Sequence, residues 1–341
     1  MKIVIDRNIP FISAPLSTIG EVIPLPGTAI TAADVRDADI LLTRTRTKCD
    51  ASLLEGSRCR FIGTATIGTD HIDLAYCRTH GIKAVNAPGC NAPAVAQWVL
   101  AAVKASLAPG EKLSDKTIGV IGAGNVGAIL IRWAEGLGMK VLVNDPPLEE
   151  KGDRRHDYTT LARIAGEADV ITVHTPLTLT GPHPTHHLLG EEFISGLKRR
   201  PLLLNAARGA VADTEALKKG MRLGLISAVG IDCWEDEPEI DRELLGMAMI
   251  ATPHIAGYSR EGKIRASAMV LDSLSDFLEL PRPLRPDAPA LNPVPETIGE
   301  DDIRYDILAD TAMLRNAPGS FEELRNNYIL RPEPKIAVRD N

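Results

Sequence analysis

Residues 117–127 read Thr-Ile-Gly-Val-Ile-Gly-Ala-Gly-Asn-Val-Gly, a short β-branched run that passes directly into three spaced glycines. In this setting the pattern predicts a strand, a tight turn and a helix, the unit that opens a dinucleotide-binding fold. Gly122 permits the turn, Gly124 lets the backbone approach a pyrophosphate, and Gly127 permits close contact between the helix and the strand. This stretch therefore predicts the fold of the chain around it.

Two further features refine the prediction of a nucleotide at this turn. The amides of Asn125 and Val126 lie at the predicted helix start, where N–H groups favour a phosphate. Asp145 ends the next predicted strand, near the spacing of about 20 residues at which an acidic residue bonds the ribose hydroxyls. A carboxylate there repels a 2′-phosphate, and two prolines rather than an arginine follow it. The motif predicts NAD rather than NADP as the cofactor.

The chain on either side of the turn alternates short apolar runs with amphipathic stretches, which is the pattern of parallel βαβ units. It predicts an α/β fold with two doubly wound Rossmann-like domains, a cleft between them, and a short C-terminal appendage. A predicted helix over 92–108 leads into the second domain, and another over about 260–280 leads back. The predicted strands lie at residues 2–5, 40–43, 61–63, 82–85, 117–121, 141–143, 170–173, 202–204, 229–231 and 250–253.

These crossings divide the chain into a discontinuous substrate-binding domain, an NAD-binding Rossmann domain and a tail. The predicted bounds are 1–100 with 256–281, 101–255, and 282–341, in that order. The tail opens with proline-dense segments, which disfavour both a helix and a central strand. Residues 320–328 predict one short helix, with Ser320 as its N-cap and Glu323 at the third helical position. We interpret the tail as an oligomerisation arm or a partly ordered appendage.

Composition restricts the class of protein. The chain has 341 residues, 44% hydrophobic and 24% charged, and its formal net charge of −7 disfavours a nucleic-acid binder, which normally presents a basic face. The N-terminal apolar run stops at Asp6, and no later run approaches the length that spans a membrane. Five scattered cysteines without a Cys-x-x-Cys pair predict no metal site and no disulfide framework. These features favour a cytoplasmic protein that binds neither membrane nor nucleic acid.

Three side chains downstream of the glycine turn form a candidate catalytic set. Arg208 lies in Asn-Ala-Ala-Arg-Gly, Glu237 in Asp-Cys-Trp-Glu-Asp-Glu-Pro, and His254 in Thr-Pro-His-Ile-Ala-Gly. A guanidinium binds a carboxylate through two parallel N–H bonds, and an imidazole exchanges the proton of a hydroxyl. A carboxylate keeps that imidazole charged or correctly oriented. Beside a dinucleotide, these groups supply what hydride transfer to or from a 2-hydroxy acid requires.

Each of these residues has an alternative interpretation. Arg208 could be a surface residue after a strand, His254 could be structural, and Glu237 belongs to an acidic run that a solvated loop would explain. The small residues around Arg208 favour the catalytic interpretation because they let a ligand approach closely. A histidine-rich stretch over 174–187 raises the question of a metal, but its prolines and the lack of a carboxylate at ligand-like spacing predict no metal site.

Over nearly all of residues 1–280 the chain resembles the D-isomer-specific 2-hydroxyacid dehydrogenases. The segments that carry the resemblance are Gly63–Asp73, Ala87–Asn91, Asp145–Pro147, His174–Leu177, Asn205–Gly209 and His254–Lys263. The resemblance implies hydride transfer from C2 of a phosphorylated 2-hydroxy acid to NAD. In this implied reaction Arg208 binds the C1 carboxylate, His254 removes the C2 hydroxyl proton, and Glu237 raises the pKa of the imidazole. It also implies a homodimer, with residues 282–341 as a shortened dimerisation segment.

The resemblance also implies which residues contact the substrate. Thr45, Thr66 and Tyr258 are the side chains expected to face it. Arg44 follows a predicted strand and is the first choice for a partner of the phosphate or the carboxylate. Arg46 and Lys48 lie close to Thr45 in the sequence, and Lys263 and Arg260 are candidate helpers of Arg44. A solvated edge explains Arg46 and Lys48 nearly as well.

The candidate cofactor contacts extend beyond the glycine turn. Asp232, at the end of a later strand, is expected to meet the nicotinamide amide, and Thr175 is expected to lie near the rim of the cofactor. The full candidate set is Gly122, Gly124, Asn125, Val126, Gly127, Asp145, Thr175, Ala206, Asp232 and Gly257.

Two other functions remain open at this point. Another member of the same family would act on phosphoglycerate, glyoxylate or hydroxypyruvate. An NAD-sensing binding protein could keep the same fold, since fold does not fix function. Such a sensor could lose its acid–base residue, whereas this chain retains all three catalytic candidates.

Overall fold

A computed structural model, which describes residues 1–335, divides the chain into two units, each built on its own parallel sheet. Unit 1 comprises Met1–Asn91 and Ser259–Pro293, and unit 2 comprises Ala92–Tyr258 and the described chain from Val294 onward. The predicted α/β fold with two doubly wound domains is confirmed. The first unit border falls at Asn91 rather than at the predicted residue 100, because the apolar side chains of the helix that begins at Ala92 pack in a core cluster of unit 2.

Unit 1 contains five strands in the order β2-β1-β3-β4-β5, all parallel. Its strands are β1 (Lys2–Asp6), β2 (Glu21–Leu25), β3 (Ile40–Thr43), β4 (Phe61–Thr64) and β5 (Lys83–Val85). Its helices are α1 (Ser13–Ser17), α2 (Ala32–Val35), α3 (Ala51–Leu54), α4 (Leu74–Thr79) and α12 (Arg260–Phe277). Strands β3 and β4 are buried along their whole length, as expected where helices cover both faces of a parallel sheet.

Helix α12 lies against the sheet of unit 1. A Cβ on Gly63, in β4, would lie 2.8 Å from a methyl carbon of Val270 in α12. The glycine therefore allows the close approach of the helix to the strand. The apolar side chains of α12 join those of β1, β3 and β4 in one core.

Unit 2 contains six strands in the order β11-β10-β9-β8-β6-β7, again all parallel. Its strands are β6 (Thr117–Ile121), β7 (Lys140–Asn144), β8 (Val170–Val173), β9 (Leu202–Asn205), β10 (Ala228–Ile231) and β11 (Ile250–Ala251). Its helices are α5 (Ala92–Ser106), α6 (Asn125–Gly136), α7 (Pro146–Glu150), α8 (Leu161–Glu167), α9 (Glu191–Ser195), α10 (Thr214–Arg222), α11 (Arg242–Met247), α13 (Ile307–Asn316) and α14 (Phe321–Asn326). The direction of winding reverses between β6 and β8, and ligands of such sheets bind at the carboxyl ends of the strands beside that point.

The tail is divided between the units, since residues 282–293 belong to unit 1 and the described chain from Val294 onward belongs to unit 2. Leu314 of α13 and Phe321 of α14 are buried in one core cluster of that unit, and the indole N–H of Trp133 in α6 donates to the carbonyl of Pro295 at 2.9 Å. Ser320 occupies the predicted N-cap position of α14, but within the described chain its side chain makes no capping hydrogen bond. Residues 294–335 thus pack on unit 2, and the interpretation of the tail as an oligomerisation arm or a partly ordered appendage stays a prediction.

Two elements were not predicted. Strand β2 contains Pro24 and is exposed or half-buried along its length, because it lies at the edge of the sheet where proline is tolerated. Helix α13 follows the proline-rich stretch 281–295, which disfavours a helix when read alone. No helix within residues 1–335 has the length and apolar character needed to cross a membrane.

Candidate active site

Of the three glycines in the turn after β6, Gly124 is the one at which the described residues leave open space. Gly122 has a φ of +95°, and a Cβ there would lie 2.8 Å from the His174 carbonyl. A Cβ on Gly127 would overlap the carbonyl oxygen of Gly122. A Cβ on Gly124 would instead meet no atom within 4 Å among the described residues. The first and third glycines allow tight packing, whereas the second presents bare backbone to open space, as a pyrophosphate site requires.

The helix and strand around this turn supply the other parts of a dinucleotide site. Helix α6 begins at Asn125 with Gly124 as its N-cap, so its first N–H groups have no side-chain cap. Asp145 follows β7, and its carboxylate accepts hydrogen bonds from the amides of Ala123 at 2.8 Å and Leu148 at 3.1 Å. These bonds fix the half-buried Asp145 beside the glycine turn, where it was predicted to meet a ribose.

An unpartnered hydroxyl lies on the other side of Gly122. The Oγ1 atom of Thr175 is buried and has no hydrogen-bond partner within the part of the chain that the structure describes. A buried polar atom without a partner costs free energy unless a ligand or water supplies one. A Cβ on Gly122 would lie 3.2 Å from the methyl of Thr175, so the hydroxyl belongs to the edge of the same turn. The chain therefore fits an NAD group at this place.

Arg208 lies in a loop that a buried asparagine holds. The side chain of Asn205, at the end of β9, donates to the carbonyls of Arg208 at 2.9 Å and Gly209 at 3.2 Å and accepts from the amide of Ala207 at 3.1 Å. Gly209 has no room for a Cβ because the carbonyl of Trp234 lies against it. The guanidinium of Arg208 is thus carried by a loop with a fixed backbone.

The same asparagine connects this loop to the neighbourhood of His254. Its amide also donates to the carbonyl of Cys233 at 3.4 Å, and the Cys233 sulfur lies 3.4 Å from the carbonyl of Ala207. The backbone N–H of His254 in turn donates to the carbonyl of Asp232, the residue before Cys233. The loop of Arg208, after β9, therefore contacts the loop after the adjacent strand β10, and the loop of His254, after β11, is hydrogen-bonded to that same β10 loop through Asp232.

His254 and Glu237 form a close pair. The Nδ1 atom of His254 lies 2.5 Å from Oε1 of Glu237. Because an ionised carboxylate can only accept, Nδ1 carries the proton of this bond and Nε2 is the atom left for exchange with a substrate. The backbone of His254 has a φ of +56° and donates its N–H to the carbonyl of Asp232 at 2.9 Å. The structure therefore holds the imidazole by both its ring and its backbone, in a conformation that is strained for a non-glycine residue.

The pair stabilises the charged form of the imidazole. Burial lowers the pKa of His254, but the Cys233 sulfur and the Glu237 carboxylate raise it by more, so the pKa lies well above its ordinary value. Burial likewise raises the pKa of Glu237, but its contacts with His254 and a nearby Arg325 guanidinium leave that pKa below its usual value. Glu237 is thus a carboxylate partner of an imidazolium.

The Asp232 side chain accepts three N–H and O–H hydrogen bonds within its own unit. Its buried carboxylate accepts from the Thr252 hydroxyl at 2.6 Å and from the amides of Ile255 at 2.8 Å and Ala256 at 3.0 Å. Burial raises its pKa against these bonds. Asp232 therefore fixes the loop that follows His254, and its contact with a nicotinamide amide stays a prediction.

The predicted site residues divide between the units. All cofactor candidates, the catalytic set and Tyr258 belong to unit 2, with Ala206 and Gly257 half-buried in the loops after β9 and β11. Unit 1 carries the remaining substrate candidates. Arg44 and Thr45 follow β3, and Thr66 follows the adjacent strand β4.

The unit 1 candidates share one edge of their sheet, because neighbouring parallel strands end together. Arg44 is half-buried and Thr45 is exposed. The hydroxyl of Thr66 lies 2.7 Å from that of Thr64 and donates to the carbonyl of Gly68 at 3.3 Å. Lys48 pairs with Asp50 at 2.8 Å, which fits the solvated edge considered for it.

Sequence reasoning missed two residues of the unit 2 site. Asn205 carries a signal that could have identified it, since a polar residue directly after a buried strand needs partners. Arg325 carries no such signal. It lies in the tail, and its Nε donates to the Tyr258 hydroxyl at 3.2 Å across 67 positions of sequence.

The histidine-rich stretch and the cysteines form other contacts. His183 pairs with Glu150 at 2.7 Å and His187 with Glu235 at 2.6 Å. Within residues 1–335 no group of three or more histidine, cysteine or acidic side chains is placed to hold a metal. All five cysteines are buried, and none of them forms a disulfide.

Comparison with known proteins identifies the family. Residues 91–256 match the NAD-binding domain of the D-isomer-specific 2-hydroxyacid dehydrogenases. The chain is 44% identical to the erythronate-4-phosphate dehydrogenase of Bacteroides thetaiotaomicron over 98% of each chain. It is 40% identical to the enzyme of that name from Porphyromonas gingivalis, over 98% of this chain and 93% of the relative.

Solved structures show the same fold. The NAD-bound 3-phosphoglycerate dehydrogenase of Entamoeba histolytica is 26% identical, with a TM-score of 0.69 over 85% of this chain and 99% of that one. The D-lactate dehydrogenase of Aquifex aeolicus, in complex with NAD and lactic acid, is 27% identical, with a TM-score of 0.65 over 81% of this chain and 95% of that one.

Proposed function

Since the chain belongs to the D-isomer-specific 2-hydroxyacid dehydrogenase family, we propose that it oxidises 4-phospho-D-erythronate to 2-oxo-3-hydroxy-4-phosphobutanoate with NAD. The choice of substrate is supported by relatives named erythronate-4-phosphate dehydrogenase that match the chain over nearly its full length. We place this reaction in pyridoxal 5′-phosphate biosynthesis.

The observation that carries the proposal is the contact of 2.5 Å between Nδ1 of His254 and Glu237. It leaves Nε2 as the proton-exchanging atom of a general acid–base catalyst. The converging loop of Arg208 supplies the cation that a 2-hydroxy acid needs beside that catalyst.

In the proposed mechanism Arg208 binds the C1 carboxylate through two parallel hydrogen bonds and so orients C2. His254 accepts the C2 hydroxyl proton at Nε2 as the C2–H bond breaks, and Glu237 stabilises the imidazolium that results. When bound, NAD accepts the hydride. In reverse, the imidazolium returns its proton to the oxygen on C2.

The residues proposed to hold NAD are those of the glycine turn and its neighbours. The backbone at Gly124 and the start of α6 would meet the pyrophosphate, Asp145 the adenosine ribose, and Thr175 the rim of the cofactor. The remaining proposed contacts are Gly122, Val126, Gly127, Ala206, Asp232 and Gly257.

The proposed substrate contacts are those predicted from the sequence. Thr45, Thr66 and Tyr258 are proposed to face the acid, and Arg44 is proposed to bind its phosphate or carboxylate. We also propose that the protein acts in the cytoplasm as a homodimer.

The test is an NADH absorbance assay on the purified chain with 4-phospho-D-erythronate and, separately, D-3-phosphoglycerate. Glyoxylate and hydroxypyruvate are assayed in the reverse direction with NADH. We expect kcat/KM for 4-phospho-D-erythronate to exceed the others by about 100-fold or more, the discrimination that specific polar contacts can give. A higher kcat/KM for any of the other acids would replace the proposed substrate. NAD binding without turnover of any acid would favour a sensor.

A further inference from the structure

A guanidinium from the C-terminal tail lies beside the candidate active site. The side chain of Arg325, in α14, is 11% exposed, and its Nε donates to the Tyr258 hydroxyl at 3.2 Å. Its Nη1 lies 3.8 Å from a carboxylate oxygen of Glu322, which is beyond hydrogen-bond distance. Among residues 1–335, neither Nη group of Arg325 donates a hydrogen bond.

A second buried arginine of the tail shows what a purely structural guanidinium looks like here. Arg331 donates to the side chain of Gln97 at 3.2 Å and to four backbone carbonyls. Those carbonyls belong to Ala94, Ile255, Ala256 and Tyr258. All three of its nitrogens are used, whereas Arg325 uses one. A buried donor without an acceptor costs free energy. A ligand that accepts hydrogen bonds from the Nη atoms of Arg325 would remove this cost.

The surroundings of Arg325 determine the class of that ligand. It contacts Tyr258, which lies in the loop after His254, and it helps to lower the pKa of Glu237 against the effect of burial. An anionic group bound by Arg325 would lie near the His254 imidazole. Arg208 would bind a second anionic group of the same ligand, its carboxylate. A four-carbon acid with a phosphate at its far end presents two such anionic groups. The planar fork of a guanidinium matches phosphate oxygens in a bidentate contact.

We propose that Arg325 is a substrate-binding residue whose Nη edge binds the phosphate of the acid, so that the tail completes the site of its own chain. This inference rests on the proposed function for the identity of the acid.

The experiment compares Arg325→Met, Arg325→Lys and a control, Arg304→Met, with the unchanged protein. Arg304 lies in the same tail but is exposed. Each protein is assayed with 4-phospho-D-erythronate and with unphosphorylated D-erythronate at saturating NAD. Thermal unfolding and NAD affinity check that each variant is folded.

For Arg325→Met we expect KM for the phosphorylated acid to rise about 10- to 100-fold, the effect of losing charge-assisted hydrogen bonds. The kcat/KM for D-erythronate should change less than about threefold. Arg325→Lys should fall between, because it keeps the charge and loses the fork. Arg304→Met should behave as the unchanged protein. Equal losses on both acids, with a shifted pH profile of kcat, would overturn the proposal and assign Arg325 to positioning the His254–Glu237 pair.

A second measurement separates this inference from the proposed function. Inorganic phosphate is titrated by calorimetry into the NAD-saturated protein and its Arg325→Met variant. If the unchanged protein does not oxidise 4-phospho-D-erythronate, the proposed substrate fails, but weaker phosphate binding in the variant still supports an anion site at Arg325. Equal phosphate affinity in both proteins, or none in either, would overturn the site itself.

Discussion

Glu237 is one of the two groups, with the Cys233 sulfur, that raise the pKa of His254. Since the carboxylate raises the pKa of His254, Glu237→Gln should lower that pKa. Oxidation needs the neutral imidazole, so the oxidation rate rises as pH rises through the pKa of His254. In the variant this rise should occur at lower pH. Reduction needs the imidazolium, so its rate at pH 7 should fall, by about 10- to 1,000-fold. The measurement is kcat/KM against pH in both directions.

The control for this prediction is Glu239→Gln, which removes an exposed charge from the same acidic run. Its pH profile should match that of the unchanged protein. Superimposable profiles for Glu237→Gln and the unchanged protein would show that Glu237 does not act through the imidazole.

Arg44 offers a test of the substrate residues predicted from the sequence. Arg44→Ala should weaken binding of the phosphorylated acid about tenfold or more, through the loss of a charge-assisted contact. Binding of unphosphorylated D-erythronate should change little. The measurement is KM for each of the two acids. Lys48→Ala serves as the control, because Lys48 forms an exposed ion pair. The same loss for both acids would remove Arg44 from the phosphate and assign it to the carboxylate or to folding.

At the scale of elements, the glycine turn separates folding from cofactor binding. Gly127→Ala should destabilise the protein by about 1–3 kcal/mol or more, because its Cβ would overlap the Gly122 carbonyl. Gly124→Ala should leave stability nearly unchanged and weaken NAD binding by about tenfold or more, because its Cβ enters space that the described residues leave open. Thermal unfolding without NAD and NAD titration separate the two effects. Similar thermal stability of both variants would contradict the assignment.

The sequence allowed prediction of the elements whose signal is local. Strands β3, β6 and β8 occupy the predicted residues, because fully buried parallel strands appear as continuous apolar runs. Strand β2 was not predicted, because it is an edge strand that contains a proline. Arg325 could not be predicted, because its role depends on the fold that brings α14 to Tyr258. The fold class and NAD were therefore readable from the sequence, while the contribution of the tail was not.

Arg331, in the C-terminal tail, fixes the loop after His254. Arg331 donates to the carbonyls of Ile255, Ala256 and Tyr258. Arg331→Met should therefore lower the free energy of unfolding by about 3 kcal/mol or more, because several buried carbonyls lose a charged donor. Chemical denaturation measures this, with Arg304→Met as the exposed control. An unchanged midpoint would show that the loop holds its conformation without the tail.

At the scale of the whole molecule, the tail also carries the apolar surface on which the proposed homodimer can be tested. Ile329 is 88% exposed and Leu308 is 54% exposed, although the tail around them packs its other apolar side chains on unit 2. Exposed apolar surface becomes stabilising when a second copy covers it. We expect light scattering to give the mass of a dimer for the unchanged protein and of a monomer for Ile329→Glu combined with Leu308→Glu. Leu223→Glu, at an exposed leucine after α10, should remain dimeric. A monomeric unchanged protein would refute the homodimer, and a dimer that survives the double substitution would place its interface away from these two side chains.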